Sequence, residues 1–306
     1  MKAIIQRSYN GNDDLIIDNL ATPKVAPMSA LVRTQYTPVL PYDWLTEEGK
    51  LIGMRPTQLP MVISYGFVGV VEQVGMLRNH RLVGKPVIGA QMTGAAAEFI
   101  NSQIPPLLFE IPQSVNLADA ATLIGGADAA QLAVNDIKAT KNEVILITGA
   151  SGGVGTYLIQ LLKHEHVTVI ALANRHNVSF LRELGADYVV DYNDDLAKQL
   201  ADVPRATKVI DTVGTTALLD QLSGYYDELA IFSLSRPTYT PQKPVQTFRF
   251  GNGNIGIAGY HKLISLLAAG EISGVVQQTF DFEVVKQAQH VSKEQHARGR
   301  ILLKYH

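Results

Sequence analysis

The chain has 306 residues, enough for about two domains that each bury a core. Its 26 Lys and Arg nearly balance 28 Asp and Glu, for a formal charge of −2, so no bulk attraction to nucleic acid or anionic membrane is expected. A composition of 46% hydrophobic and 18% charged residues excludes a disordered chain, and the absence of cysteine excludes disulfides, thiolate catalysis, iron–sulfur clusters and sulfur-dependent zinc sites.

The opening segment, MKAIIQRSYNGNDDL, is broken by Gln6 and Arg7 and then by Asp13 and Asp14, and so lacks the apolar stretch of a signal peptide. No run of about 18 apolar residues occurs anywhere. The expectation is a cytoplasmic protein with neither a membrane nor a nucleic-acid partner.

Short β-like runs fill the first third: Ala3–Gln6, Leu15–Asp18, Ala30–Thr34, Gly66–Val74, Val83–Ile88 and Ala97–Ile100. Turn formers such as Pro23, Pro41, Pro56, Pro60, Gly75 and Gly84 separate them, which predicts an irregular, mostly antiparallel β domain. From about Ser114 alanine-rich segments at helical spacing take over, the second spanning Ala127–Ile137.

Strand and helix then alternate. Strands are predicted at Val144–Thr148, Val167–Leu172, Tyr188–Val190, Val209–Thr212 and Leu229–Ser233, with helices at Val154–His164, Val178–Leu184, Leu196–Ala201 and Thr216–Leu222 between them. Such alternation implies βαβ units and a parallel sheet covered on both faces. Beyond Leu234 come a proline-containing loop and a glycine-rich stretch, then a helix at His261–Ala269, a strand at Val275–Phe282, a helix at Phe282–Ser292 and a strand at Arg300–Lys304. The last strand has no βαβ partner and is expected to rejoin the amino-terminal domain.

Gly149, Gly152 and Gly155 form a Gly-x-x-Gly-x-x-Gly pattern between a predicted strand and a predicted helix. That setting suits a dinucleotide, because glycine lets the backbone approach the pyrophosphate and the helix start offers free N–H groups. At the end of the next strand, Ala171-Leu-Ala-Asn-Arg-His-Asn177, no acid is available for the ribose hydroxyls of NAD. Arg175, aided by Asn174, His176 or Asn177, would meet a 2′-phosphate, so NADP(H) is the expected cofactor.

Thr148-Gly-Ala-Ser-Gly-Gly-Val-Gly155 also fits the glycine pattern of short-chain dehydrogenases, and Tyr239 and Lys243 have the Tyr-x-x-x-Lys spacing. Pro241 between them disfavours the helix on which such a pair works, and about 140 residues precede the glycine loop where that family would open with it.

A β-rich start, a mid-chain nucleotide domain and a returning carboxyl segment resemble the medium-chain dehydrogenase/reductase superfamily. The resemblance is carried by Leu59-Pro-Met-Val-Ile-Ser-Tyr-Gly-Phe-Val-Gly-Val-Val-Glu-Gln-Val-Gly75, by residues 144–192, and by Gly299-Arg-Ile-Leu-Leu303. It implies an α/β protein with a GroES-like β-rich catalytic domain (1–114 and 261–306) and a Rossmann doubly wound parallel-sheet domain (115–260). Zinc-dependent members carry a Cys and a Gly-His-Glu motif, where this chain has Ser64-Tyr65-Gly66. His164 and His166 close a helix and read as ordinary surface residues, so no metal is expected.

What remains resembles the zinc-independent quinone oxidoreductase group. The implied activity is NADPH-dependent hydride transfer to a quinone or an α,β-unsaturated carbonyl. By the same resemblance Ser151, Gly152, Gly153 and Val154 surround the pyrophosphate. Asn174, Arg175, Asn177 and Tyr192 face the adenosine phosphate, and Val213, Gly214, Phe232, Ser233 and Leu234 lie by the nicotinamide, mostly through backbone groups. Tyr42, Asp43 and Tyr65 are the catalytic candidates, although Asp43 could equally cap a helix and Tyr65 could pack. Leu40 and Ala129 stand where relatives often carry Asn and Thr, and this motivates an alternative, an NADP(H)-binding sensor or interaction protein with little catalysis. A homodimer is also implied.

Overall fold

Apolar runs bounded by Pro and Gly become strands through the amino-terminal third. The computed structural model describes residues 1–54, 58–103, 108–295 and 297–306; the break expected at Pro56 lies outside them. Two units emerge, one of Met1–Gly125, Tyr260–Gly270 and Gly274–His306, the other of Gly126–Gly259 and Glu271–Ser273.

The first unit opens with β1 (Lys2–Gln6), β2 (Ile16–Asn19) and β3 (Ala30–Val39), followed by helix α1 (Pro41–Glu47). It continues through β4 (Met61–Val62), β5 (Gly66–Val74), β6 (Pro86–Ala90), β7 (Phe99–Ser102), β8 (Leu108–Glu110) and α2 (Leu117–Ala121). The strand expected from Val83 starts only at Pro86, because residues 80–82 form a 3-10 turn capped by the Asn79 side chain and Gly84 adopts φ +77°.

The second unit carries α3 (Asp128–Ile137), β9 (Val144–Thr148), α4 (Gly155–His164), β10 (Thr168–Ala173), α5 (Val178–Glu183) and β11 (Tyr188–Asp191). After these come α6 (Leu196–Ala201), β12 (Lys208–Asp211), α7 (Thr216–Tyr225), β13 (Ala230–Ser233) and β14 (Thr247–Phe250). The six strands form one sheet in the order β11-β10-β9-β12-β13-β14, every pairing parallel. Strand β9 is Val-Ile-Leu-Ile-Thr and almost wholly buried, the continuous apolar run that a strand covered on both faces requires. The chain winds one way from β9 to β11 and the other way from β12 to β14, so the order reverses between β9 and β12. In open α/β sheets ligands bind beyond the carboxyl ends of the strands at such a reversal.

The chain finishes with α8 (Gly256–Ala269), β15 (Val276–Asp281), α9 (Val285–Glu294) and β16 (Arg300–Lys304). Strand β16 pairs antiparallel with β3, from Ile301 opposite Val39 to Lys304 opposite Tyr36, and so rejoins the amino-terminal sheet. That partner carries β3 past Thr34 to Val39. The mixed sheet runs β15-β16-β3-β5-β6-β8, with β7 also on β3.

The division falls after Gly125, whereas residue 115 was expected to open the nucleotide domain. Helix α2 packs on β3, β5 and β6, and Gly274 fits against it so closely that a Cβ there would lie 2.8 Å from the Asp119 Cα. Among the described residues, no helix is long and apolar enough to cross a membrane.

Candidate functional site

The glycine loop begins at the carboxyl end of β9, beside the reversal in strand order. Gly149 has φ +62°, and a Cβ there would come within 2.5 Å of Thr212 Oγ1. At the other end, a Cβ on Gly155 would lie 2.4 Å from the Gly149 carbonyl oxygen, so only glycine lets α4 start this close to the strand. The Ala150 N–H donates to the Leu172 carbonyl at 3.2 Å and ties the loop to β10. Ser151 is buried, while Gly152, Gly153 and Val154 are partly exposed just before the first turn of α4. This is a backbone cradle of the kind that accepts an anion at a helix start.

Beyond β10, Asn174 caps a 3-10 turn by accepting from the His176 N–H at 3.0 Å, and Asn177 is buried at the start of α5. Arg175 donates through Nε to Asp191 Oδ2 at 2.8 Å, and its Nη2 lies 3.7 Å from an Asp194 carboxylate oxygen. The linear sequence places no acid between Val167 and Glu183, but the parallel register sets Ala173 opposite Asp191 and so brings a carboxylate to this strand end. Burial pushes the Asp191 carboxyl up, yet the Asn193 amide and the Arg175 guanidinium outweigh it and hold the group below the usual carboxylate range. Tyr192 is exposed and lines an open surface pocket with Asn193, Asp194, Asp195, Gln221 and Tyr225.

Val213 and Gly214 follow β12; Val213 is exposed and Gly214 has φ +77°. Phe232 and Ser233 are buried at the end of β13 and Leu234 is partly buried. The Phe232 ring packs beneath the Arg249 guanidinium at 5.4 Å. Tyr239 and Lys243 do not share a helix: the Tyr239 hydroxyl donates to Asp220 and Lys243 donates to Asp227, each at 3.0 Å.

In the first unit, Pro41 opens α1 and Asp43 accepts from the Leu40 N–H at 2.9 Å, so its carboxylate caps the helix start. Tyr42 meets Tyr65 edge to face, with ring centroids 5.5 Å apart. Gly125, with φ +67°, completes the group: a Cβ there would fall 2.6 Å from Leu40 and 3.1 Å from the Tyr65 hydroxyl. The Gly125 carbonyl accepts from Arg300 Nη2, and Arg300 is buried at the start of β16. The structure thus brings Tyr42 and Tyr65 together and gives Asp43 a capping contact. Sequence reasoning missed Arg300, whose only signal was its place in the Gly299-Arg-Ile-Leu-Leu303 segment. Among the described residues, no group of three or more His, Asp or Glu side chains could hold a metal ion.

Comparison with known proteins follows the same division. The family described as zinc-binding dehydrogenase matches residues 153–230, all within the second unit. A chloroplast envelope quinone oxidoreductase homolog of Arabidopsis thaliana is 31% identical over 63% of this chain, and the match spans 61% of that relative's length. The chloroplastic NADPH-dependent alkenal/one oxidoreductase of the same plant is 26% identical over 99% of this chain and 79% of its own. The solved structure of the quinone oxidoreductase from Coxiella burnetii superposes with a TM-score of 0.87 at 24% identity, covering 100% of this chain and 99% of that one, and so shares the fold. These similarities support a relationship to the medium-chain dehydrogenase/reductase superfamily. The names of these relatives are those of quinone and alkenal/one oxidoreductases.

Proposed function

We propose that this chain is a zinc-independent, NADPH-dependent reductase of quinones or α,β-unsaturated carbonyl compounds. The observation that carries the reading is the glycine loop, set at the reversal of strand order, with Gly149 at φ +62° and Gly155 so close to the Gly149 carbonyl that a Cβ would force the loop to shift. The relatives named as quinone and alkenal/one oxidoreductases support the acceptor class.

In this reading Ser151 to Val154 hold the pyrophosphate, and Asn174, Arg175, Asn177 and Tyr192 hold the adenosine end. Val213, Gly214, Phe232, Ser233 and Leu234 bear on the nicotinamide through backbone groups. When bound, the reduced nicotinamide supplies hydride to the electrophilic carbon of the acceptor. Tyr42 and Tyr65 are the proton donors of the proposal, and Asp43 sets the helix that presents Tyr42. A preference for NADP over NAD rests on Arg175, whose Nε is oriented by Asp191; a 2′-phosphate competes there with Asp194. A homodimer and a cytoplasmic location complete the proposal.

A second reading has its own observation. Leu40 is buried and apolar and Ala129 offers no polar group, so a chain that binds NADP(H) as a sensor with little turnover is the competing proposal. Fluorescence titration with NADPH and NADH, followed by a panel of quinones and enones, separates the two. Binding with NADPH oxidation supports the reductase, and binding without oxidation of any acceptor supports the sensor. Light scattering tests the dimer.

A further inference from the structure

Asp211 ends β12 with 0% exposure, directly beside the reversal in strand order. Its carboxylate receives hydrogen bonds from four neutral donors: the Thr148 hydroxyl at 2.7 Å, the Ser233 hydroxyl at 2.6 Å, and the Val213 and Gly214 N–H groups at 3.1 Å. These donors belong to the carboxyl ends of β9 and β13 and to the loop after β12, so one side chain joins three neighbouring strand ends.

The network extends outward with a fixed polarity. Ser233 Oγ accepts from the N–H groups of Ser235 at 3.2 Å and Arg236 at 2.9 Å, so its single hydrogen is directed to Asp211. Thr148 Oγ1 likewise accepts from the Thr212 N–H at 3.0 Å and donates its hydrogen to Asp211. The Arg236 guanidinium donates to the Gly214 carbonyl at 3.1 Å, and the Ser235 hydroxyl donates to the Thr212 carbonyl at 2.8 Å, which cross-links the two loops. Every donor around Asp211 therefore needs an acceptor. A carboxylate offers two acceptor oxygens and no hydrogen, whereas an amide would turn an N–H either toward the Ser233 hydroxyl or toward the Thr148 hydroxyl and the Val213 N–H, and leave those donors unmet.

We propose that Asp211 is a positioning residue for the dinucleotide: it fixes the loops that carry Val213–Gly214 and Ser233–Leu234, and thereby orients the nicotinamide half of the cofactor. This rests on the reading of the chain as a nicotinamide-dependent reductase. Asn174, Arg175 and Asn177, which that reading gives to the adenosine end, follow β10 and take no part in the network.

The test uses the full-length chain and the variant Asp211→Asn. Hydrogen exchange without ligand should accelerate about tenfold or more in peptides covering 212–214 and 233–236, with residues 168–183 unchanged. Uniform acceleration, or none, overturns the proposal. The variant should also bind NADPH about tenfold more weakly while adenosine 2′,5′-bisphosphate stays within about twofold of wild type. Equal losses for both nucleotides would mean a merely destabilised unit and overturn the orienting role. Ser233→Ala keeps the carboxylate and serves if Asp211→Asn does not fold: a loss of about threefold for NADPH alone supports the proposal, and an unchanged NADPH affinity overturns it. A wild-type chain that binds neither nucleotide would sink the functional reading instead, and the exchange comparison would still decide whether Asp211 fixes the loops.

Discussion

Arg175 and Asp191 meet across neighbouring parallel strands, Nε to Oδ2 at 2.8 Å, although they are 16 residues apart in the chain. The aspartate is nearly buried and the arginine side chain is 62% exposed, so the pair has a fixed inner end and a solvent-facing outer end. The outer Nη groups are the part of Arg175 that a 2′-phosphate would meet.

Arg175→Ala is accordingly expected to weaken NADPH binding about tenfold or more, since a hydrogen bond to a charged group contributes about 1.5–3 kcal/mol, while NADH changes by less than about twofold. Parallel titrations of the two cofactors check this. Equal losses would remove the phosphate contact from the account of the site.

Gly155→Ala should damage the glycine loop directly. The added methyl would sit 2.4 Å from the Gly149 carbonyl and 2.6 Å from the Ala150 backbone, neither of which can move without shifting the loop. A destabilisation of about 1–3 kcal/mol is expected, with loss of nucleotide binding. Thermal melts with and without NADPH read both effects.

Ser64 holds φ +63° and is buried, and its hydroxyl has no hydrogen-bond partner among the described residues. Ser64→Gly relieves left-handed strain of about 1–2 kcal/mol at an entropic cost of about 0.5–1 kcal/mol and removes the unmet hydroxyl. Net stabilisation of about 1 kcal/mol is expected. A urea midpoint that falls would contradict it.

Glu47 is buried at the end of α1, where it accepts from Gln289 Nε2 at 2.7 Å. Burial pushes its carboxyl up to about 8, with the Gln289 hydrogen bond opposing and Asp43 and Glu48 adding to the rise. The folded state therefore holds a proton that the unfolded state has released. The Glu47 contribution to stability is full below about pH 4.5, falls as the pH rises toward about 8, and is level above that. Glu47→Gln should flatten this part of the stability profile and stabilise the protein at pH 8 by a few kcal/mol. Denaturant melts across pH 5–9 test the sign; a variant with the wild-type slope would show that Glu47 ionises freely.

Much of the second unit was legible because local chemistry dictates it. Val144–Thr148 reads as a buried strand from its continuous apolar run, and residues 149–155 read as a backbone cradle from their glycines. Strand β14 was missed because Thr247–Phe250 alternates between exposed and half-buried residues after a proline-containing loop, and only its pairing with β13 makes it a strand. In the first unit, capping was one of two roles open to Asp43, and the Leu40 N–H supplies that contact; Arg300 became visible only through the Val39 and Gly125 carbonyls it joins.

The sequence by itself determined the βαβ alternation, the place of the glycine loop and the exclusion of sulfur chemistry, since each depends on residues adjacent in the chain or on composition. Tertiary structure decided that Asp191 stands beside Arg175 and that Thr148, Asp211 and Ser233 share one hydrogen-bond network. Parallel strands are joined through helices, so residues that touch at their ends lie 16 to 63 positions apart, and their contacts exist only once the sheet order is set.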